Sequence, residues 1–577
     1  MKKLLLLCVF VLASSPLFSQ WSNNPAVNNT VTNKVGFQEN VVTCPDGAGG
    51  IIMAWEDYSS GFSKIYAQKI NIFGQSVWLF NGIGICPSAG DQRSPSICSD
   101  AAGGAIIYWV DYREGGGFYN YYAQRVRTDG QLMWDNNGIK VNNIHASGFY
   151  YQHKCIKAEA GSSILAWNNY DPLERGLLSQ KLDAFGNRVW DLGDVLVYPS
   201  TFYNFDICYD GGKGAYYCYS IREIDLLHTD LYAQHVNALG FMQWAPHKPV
   251  CTEKDFQYNP SMCEDQTGGF IVAWEDYRSY FYTPGPFTQS SDIYAAHFNP
   301  SGTNLWTFNG TPVCTFSRDQ FAPTCISDLH SGAHIIWTDL RFFGPSGANV
   351  YGQNIDFNGI QRWTSNGLKI ADRVDYSATN TGRFGPQIVC CDALGGAIVC
   401  WVGYFDVPLT QFGILAQKID YYGVSQWNSN GIFVSSDIGK FGPSLIFDGG
   451  SGGCNIAWTD DRFGDADIFA QHVKSNSSLG NYKPKPVNSG TSDIIRQNYP
   501  NPFNPTTNIA FTLANDANIS IRIFDMSGRE LEVLVDGLVT AGDHSVTWNA
   551  NKYASGTYFY KFTNGNNVEI KKMFLVK

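Results

Sequence analysis

The chain of 577 residues is poor in charge: Asp, Glu, Lys and Arg make up 16% of it, with a formal net charge of −11. No block of six or more Lys and Arg occurs, which argues against nucleic acid and against an anionic membrane surface as partner. No long stretch keeps a clean 3.6-residue period, so helices have little support. Past the first dozen residues nothing is apolar for long enough to cross a bilayer as a helix. CxxC and paired Cys/His spacings are missing, so a zinc site has no ligand set. GxSxG, HExxH and P-loop patterns are missing too, as is the Ser-x-Asp-x-Gly-x-Thr-Trp box of sialidases. No cofactor is implied.

What is present points to short strands and tight turns. Aromatic residues reach 15% and glycines number 58, and the hydrophobic fraction of 44% is enough for large cores. Lys2 and Lys3, the apolar run Leu4–Leu12 and the small Ser19 read as a secretory signal peptide over 1–19, cut at Gln20 or Trp21. The apolar run is too short for a membrane anchor. Export permits disulfides among the fourteen cysteines left after Cys8. Cys44, Cys98, Cys208, Cys263 and Cys391 recur just before an acidic residue, a placement that favours core thiols at equivalent positions over a regular disulfide set.

One phrase recurs along the chain: Gly-Gly, an apolar triplet, Trp-x-Asp-x-Arg, a variable loop, Ile-Tyr-Ala-Gln, a second Trp, then Asn-Gly and an apolar strand. Its first half stands at Trp55, Trp109, Trp167, Trp274, Trp337, Trp401 and Trp458, with a degenerate copy at Tyr219. Its second half keeps ten residues between Gln68 and Trp78, Gln124 and Trp134, Gln180 and Trp190, Gln234 and Trp244, Ala296 and Trp306, Gln353 and Trp363, and Gln417 and Trp427. Constant spacing across a turn predicts a hairpin of fixed register. Repeats of fifty to the mid-sixties predict a four-stranded sheet each, in which the second strand carries the first Trp and the fourth carries the second. The eighth copy lacks the second Trp: Asn481 stands ten residues past Gln471. Trp21, near the start of the mature chain, supplies the missing piece. The reading is an all-β, eight-bladed β-propeller over 20–474, closed by an N-terminal strand that removes the free edge. Seven blades is the alternative if the unit at Tyr219 merges with a neighbour.

Residues 475–495 are a Ser-, Asn-, Gly-, Lys- and Pro-rich linker. The domain at 496–577 opens on Asn498, Tyr499, Pro500, Asn501, Pro502, Phe503, Asn504 and Pro505. Strand-like runs follow at Thr507–Leu513, Ile519–Phe524, Leu531–Val535, His544–Trp548, Thr557–Phe562 and Val568–Val576, a pattern that predicts a small Ig-like β-sandwich. QNYPNPFNP, IFDMSGREL with Gly528, Ala541-Gly542 before Trp548-Asn549, SGTYFYKF with Gly556, and the terminal KKMFLVK together make residues 497–577 resemble the type A sorting domain of the type IX secretion system of Bacteroidota and relatives. That resemblance implies export to the periplasm and passage across the outer membrane directed by this domain. It also implies removal of the domain, with the cargo released or held on the surface of a Gram-negative cell, and the secretion machinery as partner.

Within the propeller the conspicuous polar pairs are Asp111 with Arg113, Asp276 with Arg278, Asp339 with Arg341 and Asp460 with Arg462. Residues two apart on a strand share a face, so each pair reads first as an ion pair, within itself or to the next blade. The functional reading is a set of equivalent sites for carboxylates or acidic sugars. Asp460, Asp461, Asp465 and Asp467 read as a solvated turn, or as a calcium site. His235, His297 and His472 follow the repeat and read as strand residues. The longer loops Ser279–Ser291, with Tyr280 and Tyr282, and Phe342–Asn349 break the symmetry and are places to look for a ligand. Three functions fit: a surface or secreted protein that binds a glycan or a protein, a secreted polysaccharide hydrolase, and a structural surface component. The repetition of every polar motif favours the first and third over an enzyme.

Overall fold

The computed structural model describes residues 21–577 except 23–27, 144–151, 172–174, 191–192, 201, 223–227, 280–290, 345–346, 375–387, 405–411, 429–430, 437–439, 451, 477–493, 496–497, 499, 514, 527–528 and 566. Residues 1–19, read above as a signal peptide, most of 475–495, read as a linker, and Tyr280, Tyr282, Tyr499 and Gly528 therefore lie outside the described residues. The described residues form strands, turns, bends and irregular connections, and no helix among them is long and apolar enough to cross a membrane. The chain divides into two compact units, 1–482 and 483–577.

The first unit is propeller-like. Its first sheet runs Gln38–Pro45, Ile51–Asp57, Lys64–Ile70 and Ile83–Gly84, each antiparallel to the last. The same order repeats over 92–140, 153–198, 202–251, 257–314, 320–374 and 388–436. The sixth and seventh repeats are joined edge to edge by one residue pair, Val374 with Gly403. An eighth set, Lys440–Phe447, Cys454–Phe463 and Asp465–Val473, takes its fourth strand from Asn29–Thr30. The repeat at Tyr219 forms its own sheet, with the tyrosine buried where the others have Trp.

Each first strand lies against the first strand of the next sheet, and Lys440–Phe447 lies against Gln38–Pro45, so the cycle closes. Sheets covered on both faces explain the composition. Every residue of the second strands Ile51–Asp57, Ala105–Asp111 and Phe270–Asp276 is buried, which demands continuous rather than alternating hydrophobics. Each core cluster draws on two neighbouring sheets: Ile52, Ala54 and Trp78 pack with Ile107 and Trp109. The seam between last and first sheets is filled the same way, by Val31, Val41, Met53, Trp55, Ile446 and Ile468.

The ten-residue spacing has a specific cause. Gln68 Oε1 accepts the backbone N–H groups of Lys69 (2.9 Å) and Trp78 (3.1 Å), while its Nε2 donates to Leu79 O (2.7 Å). Gln124 and Gln417 make the same three kinds of bond. A buried amide thus pins both ends of the excursion, and its reach fixes the length. Where Ala296 replaces Gln, Asn304 Oδ1 caps the Trp306 N–H instead (3.0 Å). The second Trp is consequently not in the fourth strand. It sits in the pinned segment ahead of it, as Trp78 does before Ile83–Gly84. Its indole N–H crosses to the next sheet's turn: Trp78 to Thr128 O (3.1 Å), Trp134 to Ala184 O (3.2 Å) and Trp363 to Tyr421 O (3.0 Å). Trp21 donates to Ile72 O (3.0 Å), the matching turn of the first sheet, and Gln471 Nε2 donates to Ser22 O. The strand that follows Trp21 is Asn29–Thr30, so Trp21 itself plays the pinned role and not the strand's. The Asn-Gly after the second Trp is also required: Gly310 has φ +97° and a Cβ there would lie 2.4 Å from the Trp274 ring.

The second unit has two sheets around one core. Ile494–Ile495, Thr506–Leu513 and Gly542–Asn549 form one, and Glu530–Val539, Ala517–Asp525, Gly556–Asn564 and Asn567–Leu575 form the other. Strand Thr506–Leu513 alternates exposed and buried residues, as a strand covered on one face should. Ile509, Phe511, Ile521, Trp548, Tyr560 and Met573 fill the interior.

Candidate functional site

The four Trp-x-Asp-x-Arg copies build identical clamps. In the fifth sheet Trp274 Nε1 donates to Asp276 Oδ2 (2.8 Å), Arg278 Nε donates to Asp276 Oδ1 (2.8 Å), and Arg278 Nη2 donates to Asp276 Oδ2 (2.6 Å). The guanidinium lies 3.9 Å from the Tyr294 ring centroid. Asp111 with Arg113, Asp339 with Arg341 and Asp460 with Arg462 repeat this arrangement. All four carboxylates are completely buried.

Each clamp also reaches backward. Arg113 Nη2 donates to Cys86 Sγ (3.2 Å), Arg278 to Cys251 Sγ (3.1 Å), Arg341 to Cys314 Sγ (3.2 Å) and Arg462 to Ser435 Oγ (3.0 Å), always across 27 residues and into, or for Cys86 just past, the fourth strand of the preceding sheet. Burial pushes the Cys251 and Cys314 thiols up to about 12, which keeps both as neutral acceptors. Each Arg thus pairs with the Asp two residues before it and reaches across the sheet boundary at once, with its Nε and Nη2 committed to the fold. The first sheet does the same with a borrowed cation: Lys34 pairs with Asp57 (3.3 Å) and lies 3.2 Å from the Tyr66 centroid.

A second polar series was not anticipated from the sequence. The residue following the pinning Gln, or following Ala296 in the fifth sheet, holds the aspartate of the hairpin between first and second strands. Lys69 pairs with Asp46 (3.3 Å), Arg125 with Asp100 (3.0 Å), His235 with Asp210 (2.9 Å), His297 with Asp265 (2.8 Å), Lys418 with Asp392 (3.2 Å) and His472 with Asp448 (3.1 Å). Burial alone would raise Asp265, but hydrogen bonds from His297, Thr267 and Gly269 hold it at about 2. The signal was there: a hydrogen-bond donor always follows the Gln, and an Asp precedes most Gly pairs.

In the acidic loop Asp460 is committed to its clamp, and Asp465 Oδ2 accepts Gly36 N–H (2.9 Å). Asp467 stands opposite Asp460 with Oδ1 unpartnered. Burial first, then Asp465 and Asp460, raises its carboxyl to about 7. No group of three or more His, Cys, Asp and Glu among the described residues is placed to hold a metal ion. Because the folded value lies above the unfolded one of about 3.9, the stabilisation is full below pH ~4 and is lost as pH rises through ~7. Asp467→Asn is therefore expected to raise stability above pH 7 by on the order of 1–3 kcal/mol and to flatten that pH dependence, as measured by urea unfolding between pH 5 and 8.

Inside the cycle of first strands lies a cavity of about 320 Å³, formed by the first, second, third, fourth and eighth sheets. Ser96 supplies a hydroxyl, Thr43 and Ser444 supply two more that are hydrogen-bonded to each other (2.7 Å), and Ile97 and Ile207 form apolar walls. Lys154 and Asp206, also in the lining, pair at 2.7 Å, and Asp206 Oδ2 accepts Met262 N–H (2.9 Å).

In the second unit the Asn-Pro motif fastens the chain's last strand. Phe503 N–H donates to Phe574 O (2.9 Å), Val576 N–H donates to Phe503 O (3.0 Å), and Asn501 Oδ1 accepts Phe574 N–H (2.7 Å). Asn498 Nδ2 donates to Pro500 O (3.1 Å) and Thr507 Oγ1 (2.9 Å), and Pro505 O accepts Ala550 N–H (2.8 Å). Phe503 is buried against Trp548, with 5.4 Å between ring centroids. Pro502 and Asn504 flank it. Gly542 and Gly556 begin two strands.

Residues 497–577 match the family described as the secretion system C-terminal sorting domain. No curated protein matches the chain. Among solved structures it is similar to PorZ of Porphyromonas gingivalis, a surface component of the type-IX secretion system, at 12% identity over 95% of this chain and 82% of that one, with a TM-score of 0.26. It is also similar to an α-L-arabinanase of Penicillium chrysogenum (10% identity, 67% of this chain and 93% of that one, TM-score 0.32). Sqt1 of Chaetomium thermophilum gives 10%, 77% and 98%, with a TM-score of 0.36. Likenesses this distant carry no inference about activity. Its own sheet order and the family match make the chain an all-β, propeller-like protein with a sorting tail. That tail marks it as cargo of the type IX secretion system, exported to the cell surface or the medium.

Proposed function

We propose that residues 20–474 form an eight-bladed β-propeller closed by its N-terminal strand, that the tail is an Ig-like sandwich, and that the exported propeller is a glycan-binding protein rather than an enzyme. The sorting-domain match at 497–577 carries the export half of this reading. The chemistry of the interior supports the binding half. The Asp–Arg pairs use Nε and Nη2 within the fold, so the carboxylate-binding face considered for Asp111, Arg113, Asp276, Arg278, Asp339, Arg341, Asp460 and Arg462 has few groups to offer a ligand. The cavity inside the first strands combines hydroxyls, one cation and apolar walls, a mixture suited to a sugar's hydroxyls and carbon faces. Among the described residues lining it, Asp206 is the one carboxylate, whereas glycoside cleavage ordinarily takes two.

The test is binding of the mature chain to a broad glycan panel, with and without calcium, alongside Lys154→Ala. Saturable binding without product release, weakened about tenfold or more by Lys154→Ala (a loss of about 1.4 kcal/mol), is the expected result. Turnover of any glycan would favour the hydrolase reading. No binding by a folded chain would leave a protein partner or a structural role.

A further inference from the structure

Two of the sheet boundaries carry cysteines in contact. Cys263 Sγ and Cys325 Sγ, on the first strands of the fifth and sixth sheets, are 3.3 Å apart and buried. Cys98 and Cys155, on the first strands of the second and third sheets, share a side-chain hydrogen bond. Both pairs occupy the same register. The residue that opens each hairpin donates its N–H to the carbonyl four residues on: Asp100 to Gly104, Ala158 to Ser162, Asp265 to Gly269 and Asp328 to Gly332. Cys98 and Cys263 stand two residues before that opening, and Cys155 and Cys325 stand three before it. The geometry that brings one pair together therefore brings the other together too. Other boundaries carry cysteine on one side only: Cys44 with Ile97, Cys208 with Met262 and Cys390 with Leu445.

We propose that Cys263 with Cys325, and Cys98 with Cys155, form two disulfides that staple neighbouring sheets in the exported protein. The inference rests on the export reading, because an oxidising compartment is needed. Closing a 3.3 Å sulfur contact to the roughly 2.05 Å of a disulfide takes a side-chain adjustment. For each bridge two S–H bonds break and one S–S bond forms. The two electrons and two protons pass to the disulfide of a thiol oxidoreductase, which leaves as a dithiol. In the packed state the neighbouring thiol's hydrogen bond, then burial, pushes the Cys98 and Cys263 thiols well up, so little thiolate is available for exchange. Oxidation accordingly belongs to folding, before the sheets close over the sulfurs. The remaining cysteines, without a contacting thiol at the same register, stay reduced.

The experiment is peptide mapping after alkylation under denaturing, non-reducing conditions. One sample is the full mature chain recovered outside the native cells. The other is the same chain purified, reduced, unfolded and refolded with oxidised glutathione. The expected result in both is a 263–325 peptide pair and a 98–155 pair, each lighter by two hydrogens, with Cys44, Cys208 and Cys390 alkylated. Quantitative alkylation of Cys98, Cys155, Cys263 and Cys325 in chain recovered outside cells would overturn the proposal while leaving export standing. A different dominant pairing in the refolded chain would overturn it as well. Where no chain is found outside cells the export reading fails, and the refolded sample alone decides the pairing.

Discussion

A mature chain lacking residues 21–34 is expected to lose on the order of 5 kcal/mol of stability and to unfold without a single cooperative transition. The segment is small, but four separate contacts run through it. Asn29–Thr30 is the fourth strand of the last sheet. Trp21 reaches the first sheet's turn, and Val31 is buried in the seam between first and last sheets. Lys34 is the cation beside the buried Asp57. Without them the eighth sheet has a bare edge strand and Asp57 is left with a buried, unpaired charge, itself a cost of about 3–5 kcal/mol. Chemical denaturation with tryptophan fluorescence would show the loss. Lys34→Ala separates the charge from the strand, and is expected to account for most of the effect. An unchanged midpoint in the truncated chain would mean that the ring does not depend on its N-terminal closure.

Asp276→Ala is expected to cost about 3–5 kcal/mol, more than most single substitutions. The change removes the acceptor of the buried Trp274 indole and both prongs of Arg278, leaving a half-buried guanidinium against Cys251 and Tyr294. Arg278→Ala leaves the fully buried Asp276 without its cation, held only by the Trp274 indole and the backbone N–H of residue 278, and is expected to be as severe. The double variant should cost clearly less than the sum of the two, because each single change orphans the other group. Additive single effects would instead mean that the pair is screened and weakly coupled.

How much of this was legible in the sequence depended on whether the interactions lay inside one repeat. The Gln–Trp spacing is local, and one buried amide fixes it, so it stood out. Residues 29–30 close the eighth sheet from the far end of the chain, yet Trp21 betrayed the closure because its indole repeats the role of Trp78 and Trp134. The Arg–Cys contacts also have a constant spacing, 27 residues, but they join the fourth strand of one unit to the second strand of the next. Dividing the chain at unit boundaries hides them. The cavity was not legible at all. It draws on five first strands between 42 and 444, and no spacing rule links side chains that meet only when a cycle closes. In the tail, the Asn-Pro motif was conspicuous in composition, while its task, holding Phe574 and Val576 through Asn501 and Phe503, required the two ends of the domain to be seen together.

The most direct test of the account is where the cell puts the protein. Native cells carrying the full chain, and cells carrying a chain that ends before residue 497, would be fractionated and probed with an antibody to the propeller-like unit. The account predicts the full chain on the outer surface or in the medium and the shortened chain retained in the periplasm, with the same split for a strain lacking type IX secretion. Equal amounts of both chains outside the cell would contradict it.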